Sequence, residues 1–202
     1  MVYTLTQWCL GSTEYRLGKF SKPYLLPDLL YVILVVAAWV FWGHELQTVA
    51  LAILLLITSV VSITDFRFNV IPDRLTLPGI TLGLLLLALA GLDGFVDALI
   101  GGMVGFALFY LAAVIGEKLL KKPAMGGGDI KLATMLGMFL GWYPLLLSVS
   151  LAALLALLYA VTKRVAFGSA MSSGVPFGPF LSLSATITYL LSQSWSGFLI
   201  VS

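Results

Sequence analysis

Two aspartates, Asp65 and Asp129, are the residues of this chain best suited to acid/base chemistry. Each lies at the edge of a long apolar run, where an ionised carboxylate is costly to hold. Asp65 follows the uncharged stretch 46–64, and Asp129 follows the glycine run 126–128. If the fold brings the two carboxyl groups together, their repulsion leaves one proton shared by the pair. Such a pair can activate a water molecule and also donate a proton.

The helices that would have to position this pair are predicted to lie in a membrane. Of the 202 residues, 60% are hydrophobic and 10% are charged, whereas soluble domains average about 25% charged residues. Crossing a bilayer takes a helix of ~20 mostly apolar residues. Uncharged runs recur at 46–64, 75–92, 98–116, 132–162 and 165–202. No strand-like alternation indicates a barrel, so we predict an all-α, polytopic transmembrane helical bundle.

The apolar runs and their breaks predict about seven helices. We expect them at about 29–43, 48–64, 76–91, 95–119, 130–142, 145–162 and 179–191. The helix at 130–142 is too short for a normal span, so neighbouring helices must shield it or it must border a cavity. Residues 1–27 are predicted to form a polar N-terminal cytoplasmic segment, and residues 28–202 a transmembrane domain.

The basic residues predict which side of the membrane each connection faces. All eleven fall in four segments, whereas the connections around His44 and Asp93 are neutral to acidic. The positive-inside rule places the four segments, and with them the N-terminus, in the cytoplasm. They are Arg16, Lys19 and Lys22; Arg67 and Arg74; Lys118, Lys121, Lys122 and Lys131; and Lys163 and Arg164. On this map Asp65 and Asp129 both lie at the cytoplasmic edge of the membrane.

The helix ends suggest different roles for the two aspartates. Asp65 is predicted to end a helix, where carbonyl oxygens disfavour an ionised carboxylate, and Asp129 to begin one, where free N–H groups favour it. We therefore expect Asp129 to be more often the base and Asp65 more often the acid, within a pair that titrates as one unit. The alternative is structural: each carboxylate reaches water or caps a helix.

Other residues also allow a structural interpretation beside a functional one. Asp73 suits the N-cap of the following helix, and Lys131 suits a topology anchor. The glycine run 126–128 suits a linker or helix C-cap, although a turn without side chains also lets an extended substrate approach the backbone. Pro176 and Gly178 lie where the last helix begins. With one histidine, one cysteine and no zinc-ligand spacing, we expect no metal or other cofactor.

Three motifs in order resemble the type IV prepilin leader peptidases. They are Asp65-Phe-Arg-Phe-Asn-Val-Ile-Pro-Asp73, Gly126-Gly-Gly-Asp129-Ile-Lys-Leu and Val175-Pro-Phe-Gly-Pro-Phe-Leu181, and the resemblance covers about residues 48–185. It implies an intramembrane-edge aspartyl protease of the GxGD type with Asp65 and Asp129 as the catalytic pair. It also implies removal of the short basic leader from type IV prepilins or type II secretion pseudopilins, at the cytoplasmic face of the bacterial inner membrane.

The partners expected from this resemblance are a prepilin or pseudopilin substrate and the lipid bilayer, with no nucleic acid. Many bacterial members carry a domain with paired cysteines and also N-methylate the new N-terminus. This chain has a single cysteine, so we expect a peptidase core, naturally short or truncated, without methyltransferase activity or S-adenosylmethionine. The expected substrate-binding residues are Gly126, Gly127, Gly128, Asp73, Pro176 and Gly178.

Three alternatives remain open on the sequence alone. A presenilin-like or signal-peptide-peptidase-like protease also uses GxGD, but the early Asp65 motif and the small size favour the prepilin type. A small proton-coupled transporter would use its carboxylates as a proton relay, although no inverted repeat is evident and both aspartates lie at the edge of the predicted spans. A non-catalytic scaffold subunit of a pilus or secretion machine is the third.

Overall fold

The computed structural model describes residues 6, 32–37, 40, 46–121, 125–167 and 175–199. Within them the chain forms helices and no strand, which confirms the predicted all-α fold. Six helices are α1 (Leu46–Phe68), α2 (Asp73–Leu89), α3 (Leu92–Leu120), α4 (Gly127–Leu140), α5 (Trp142–Phe167) and α6 (Gly178–Leu199). A helical stretch at 32–37 precedes them, so the described part holds the seven helices that were predicted. Of the predicted segment 1–27 only Thr6 is described, and His44 and Cys9 lie outside the described residues.

Three of these helices are long and apolar enough to cross a membrane. Among the described residues they are Leu46–Phe68, Leu92–Leu120 and Trp142–Val165. At 1.5 Å per residue, the 23 residues of the first of them extend for about 35 Å, which exceeds the hydrocarbon thickness of about 30 Å. The chain is therefore a membrane protein, as its composition predicted.

The short helix α4 lies between α2 and α3, which shield it as the sequence required. Its side chains Leu132, Met135 and Leu136 are fully buried. Helix α3 approaches so closely that a methyl group on Gly101 would collide with the backbone of Gly137. Because both helices carry glycine at the crossing, their backbones touch without intervening side chains. The depth of α4 in the bundle is thereby fixed.

Contacts along the helices give their directions. Gly79 and Gly83 of α2 face Met135 and Phe139 of α4, so α2 and α4 run parallel. In α3 the order is reversed, since Gly101 faces Gly137 and Gly105 faces Ala133. Helix α3 therefore ends at the side of the bundle where α2 and α4 begin.

Helix α6 is antiparallel to both α1 and α5. Its first residue, Gly178, contacts Asp65 near the end of α1, whereas the Tyr189 hydroxyl donates to the Gln47 carbonyl near the start of α1 at 3.0 Å. The Tyr159 and Phe180 rings lie 5.4 Å apart, and the Ser148 and Ser184 hydroxyls are 3.2 Å apart. Helix α5 therefore ends beside the start of α6.

These directions place both aspartates and the basic residues at one end of the bundle. The ends of α1, α3 and α5 meet there with the starts of α2, α4 and α6. Every lysine and arginine of the described residues belongs to this end: Arg67, Arg74, Lys118, Lys121, Lys131, Lys163 and Arg164. The acidic residues Asp93 and Asp97 lie at the opposite end, in the first turns of α3. Three of the four basic segments thus share one side, as the charge pattern predicted, and the fourth, at 16–22, lies outside the described residues.

Candidate active site

Asp65 lies in the last turn of α1, because that helix continues to Phe68 and does not end at Thr64 as predicted. Asn69 stops the helix in a left-handed conformation (φ 52°) and donates its N–H to the Asp65 carbonyl at 2.9 Å. The Asp65 side chain is buried, since the residue is only 6% exposed. Its backbone is therefore fixed by the helix end, and its side chain points into the bundle.

The carboxylate of Asp65 accepts a hydrogen bond of 2.8 Å from the backbone N–H of Gly178. Gly178 is the first residue of α6, where N–H groups have no partner inside the helix. A Cβ atom at this position would lie 2.7 Å from Oδ2 of Asp65 and 3.1 Å from its Cγ. Only glycine lets the start of α6 approach the acid this closely.

Asp129 is the third residue of α4, in its first turn, and the N-cap of this helix is Gly126. Its backbone N–H donates to the Gly126 carbonyl at 3.1 Å, and its carboxyl group accepts a hydrogen bond from the Gly126 backbone N–H. An acidic side chain at this helical position commonly reaches back to the N-cap N–H in this way. Since the glycine cap has no side chain, Asp129 itself satisfies the free donor at the helix start.

The structure places Asp129 within electrostatic reach of Asp65. Asp129 lies outside the three helices long enough to span the membrane. Burial, followed by repulsion from the Asp65 carboxylate, raises the pKa of Asp129 to about 6, although the Gly126 hydrogen bond acts to lower it. A pKa near neutrality lets a carboxyl group both take up and release a proton at physiological pH.

Both aspartates receive one backbone N–H donor, Asp65 from Gly178 and Asp129 from Gly126. The prediction that Asp65 is the acid and Asp129 the base considered only the end of α1 and the start of α4. It did not include the start of α6, which donates to Asp65. With α6 included, helix ends no longer distinguish the two carboxyl groups. They therefore assign the acid and base roles to neither aspartate.

Asp73 does not cap α2, so that prediction is wrong. Pro72 occupies the N-cap position without a side-chain hydrogen bond, and Asp73 is the first helical residue. Its carboxylate instead forms an ion pair of 2.7 Å with Lys131 in α4, and the two side chains are 53% and 40% exposed. A tertiary contact therefore uses the group that local sequence assigned to a helix cap.

The glycine run begins α4; it is neither a linker nor a C-cap of α3. Gly126 and Gly127 are exposed, and a methyl group on Gly127 would meet nothing within 4 Å. At Gly128 a Cβ atom would lie 2.9 Å from Cβ of Ile71. The first two glycines thus leave accessible backbone beside Asp129, and the third lets α4 pack on the turn that follows α1.

The last motif provides an extended segment that leads into α6. Val175, Pro176 and Phe177 are half-buried and non-helical, and α6 begins at Gly178. The Phe177 ring packs on Phe109 of α3, with centroids 5.9 Å apart. Pro176 contacts neither aspartate through any hydrogen bond, whereas Gly178 touches Asp65 directly.

A groove of about 270 Å³ opens between the end of α1 and the start of α6. Its lining contains neither aspartate and consists of Ser62, Ile63, Phe66, Arg67 and Pro179. Among the residues described here, no group of three or more His, Cys, Asp or Glu side chains is placed to hold a metal ion.

Sequence analysis missed two features of this end of the bundle. It assigned Gly178 to substrate binding, whereas the structure gives its N–H to Asp65, and it assigned Lys131 to topology, whereas the structure pairs it with Asp73. Opposite charges in two motifs that were expected to meet, Asp73 in the first and Lys131 in the second, were a signal for the ion pair.

The sequence was compared with models of known protein families and with solved structures. The sequence model of the type IV leader peptidase family matches residues 49–161, which include α2, α4 and both aspartates. No solved structure matches the chain.

Curated relatives named prepilin leader peptidase/N-methyltransferase match most of the chain. The Aeromonas salmonicida (strain A449) protein is 31% identical over 188 residues, covering 92% of this chain and 62% of the relative. The Neisseria gonorrhoeae protein is 32% identical over 178 residues, covering 87% and 60%. The Escherichia coli (strain K12) protein is 30% identical over 174 residues, covering 86% and 77%. The chain thus spans about three-fifths of the first two relatives, and it belongs to the type IV leader peptidase family.

Proposed function

We propose that this chain is an aspartic endopeptidase that removes the leader from type IV prepilins, or from pseudopilins of type II secretion. The observation that carries the proposal is the approach of two carboxyl groups, the buried Asp65 and the half-buried Asp129, at one end of a helical bundle. Membership of the type IV leader peptidase family supports the substrate class. Residues 28–202 would be the peptidase domain, and residues 1–27 a cytoplasmic segment.

The pair would work with one shared proton. The ionised carboxylate takes a proton from water, and the resulting hydroxide attacks the carbonyl carbon of the scissile peptide bond. The protonated carboxyl group gives its proton to the carbonyl oxygen. The tetrahedral intermediate then collapses as one carboxyl group gives its proton to the leaving nitrogen, the other carboxylate takes a proton from a hydroxyl of the intermediate, and the carbon–nitrogen bond breaks. The pair again holds one proton. Every proton moved is supplied by the pair and one water molecule, so the scheme needs no cofactor.

The charge distribution supports a cytoplasmic site in the bacterial inner membrane. The aspartates share one end of the bundle with every described lysine and arginine. Since basic residues flanking spans stay in the cytoplasm, this end would face inwards, and the N-terminus would lie on the same side. Leader cleavage would then take place before the substrate leaves the inner membrane.

A substrate strand would lie across the start of α4. The exposed Gly126 and Gly127 leave room for an extended peptide beside Asp129, and the Gly127 N–H, at the start of α4, can donate to it. Pro176 would border the same strand from the segment before α6. Gly128, Gly178 and Asp73 would serve the site indirectly, because their contacts are with Ile71, Asp65 and Lys131.

The test is incubation of the purified protein with a prepilin, with the mass of the product as the readout. Asp65→Asn and Asp129→Asn should each abolish cleavage while the protein stays folded. Asp93→Asn and Asp97→Asn, at the opposite end of the bundle, are matched controls that should cleave normally. Cleavage by Asp129→Asn at a rate near that of the wild type would overturn the proposed mechanism.

A further inference from the structure

We propose that the Asp73–Lys131 ion pair is a positioning clamp, which holds the start of α4 against the turn after α1 and so sets the separation of Asp65 and Asp129. The inference rests on the proposed function and names two residues that serve it. The pair joins the first residue of α2 to α4 with Nζ and Oδ2 2.7 Å apart, across 58 positions of sequence.

The clamp is built into a continuous chain of contacts between the two aspartates. The turn at Asn69 connects Asp65 to Ile71 along the chain. Ile71 in turn packs against Gly128, which immediately precedes Asp129. Two residues beyond Ile71 is Asp73, and two residues beyond Asp129 is Lys131. The ion pair is therefore a second link between the segment that follows Asp65 and the start of α4, beside the contact of Ile71 with Gly128.

The role is one of position and not of direct chemistry. Residues two apart on a helix do not face each other, so Lys131 acts on Asp129 through the backbone of α4. With the side chains 53% and 40% exposed, the pair is solvated and adds little to the stability of the fold. A small displacement of a catalytic group can nevertheless lower the rate strongly. Loss of the clamp should thus lower the rate of cleavage and leave the stability of the fold nearly unchanged.

The first test compares kcat, KM and melting temperature of Asp73→Asn and Lys131→Met in prepilin cleavage. Each should lower kcat by about tenfold with KM and melting temperature nearly unchanged, and the double variant should lose no more than either single one. The matched controls are Asp93→Asn, also an exposed acid in the first turn of a helix, and Lys118→Met, an exposed lysine near the end of α3. Both should keep the wild-type kcat.

The charge-reversed variant Asp73→Lys/Lys131→Asp decides whether the pair itself matters. It should recover kcat to within about threefold of the wild type, since only the unfavourable placement of lysine at a helix start remains. Wild-type kcat in Lys131→Met would overturn the clamp. So would an inactive charge-reversed variant that is still folded, because Asp73 would then act through its own charge.

A crosslinking measurement tests the clamp without any substrate. In a Cys9→Ser background, Ile71→Cys/Gly128→Cys should form a disulfide rapidly, and adding Lys131→Met should slow its formation several-fold. An unchanged rate would overturn the clamp even if no prepilin were cleaved. Conversely, failure of the wild type to cleave any prepilin would refute the proposed function and leave this measurement valid.

Discussion

The backbone N–H of Gly178 donates a 2.8 Å hydrogen bond to Oδ2 of Asp65, which lies 113 positions earlier in the sequence. The start of α6 thereby fixes the orientation of an acid that belongs to α1. Asp129 has its own backbone donor in Gly126. Two helix N-termini thus serve the two carboxyl groups, and both are consequently sensitive to changes in the backbone around them.

Gly178→Ala should lower kcat for prepilin cleavage by about 100-fold, because a displacement near 1 Å at a catalytic group has an effect of this size. The new methyl group would lie 2.7 Å from Oδ2 of Asp65 and must push the carboxylate aside. Gly127→Ala, whose methyl group enters open space, controls for the stability effect of adding a methyl group and should leave the melting temperature unchanged or higher. A fully active Gly178→Ala would show that the contact is not needed.

Asp65→Asn should lower the pKa of Asp129. The charge of Asp65 is one of the two causes that raise this pKa to about 6, and the amide removes it. Burial remains, so the pKa should stay above the ordinary value of 3.8. Infrared titration of the carboxyl bands, with isotopically labelled aspartate, measures the shift. A rise, or no change, would mean that the two groups are not electrostatically coupled.

Asp129→Asn should stabilise the protein at pH 7.5 and not at pH 4. The pKa of Asp129 is raised in the folded state, so its protonated form supports folding below about pH 4, and this contribution is lost as pH rises through about 6. Above that pH an ionised Asp129 destabilises the fold by about 1–3 kcal/mol. The amide avoids this penalty and can still accept the Gly126 hydrogen bond. Melting temperatures at the two pH values, compared with Asp93→Asn, provide the measurement; equal shifts at both would contradict the prediction.

Gly101→Ala should destabilise the bundle by about 1–3 kcal/mol, the usual effect of forcing a methyl group into a packed contact. The added carbon would collide with the carbonyl of Gly137 and separate α3 from α4. Ala107→Val, on an exposed face of the same helix, adds bulk without a packed neighbour and should have little effect. Thermal unfolding in detergent is the measurement, and equal stability of the two variants would argue against the close helix crossing.

The sequence predicted the helices well, since they follow from the apolar runs and the breaks between them. The shielding of α4 was likewise predictable, because a helix of 14 residues cannot span a bilayer alone. The hydrogen-bond and ion-pair partners of individual side chains were not predictable. Asp73 was assigned to a helix cap by its neighbours in sequence, but Lys131 competes for it across 58 positions. The donor to Asp65 comes from α6, whose placement no local rule supplies.

The length of α3 has a consequence for any peptide cut at this site. Gly105 faces Ala133 and Phe109 packs on Phe177, so the aspartates lie level with about residue 109 of a helix that ends at Leu120. The remaining 11 residues extend about 16 Å beyond the level of the aspartates. An extended strand covers that height in about five residues. A leader of up to about five residues would lie alongside the last turns of α3, and a longer one would extend beyond Leu120 into bulk water.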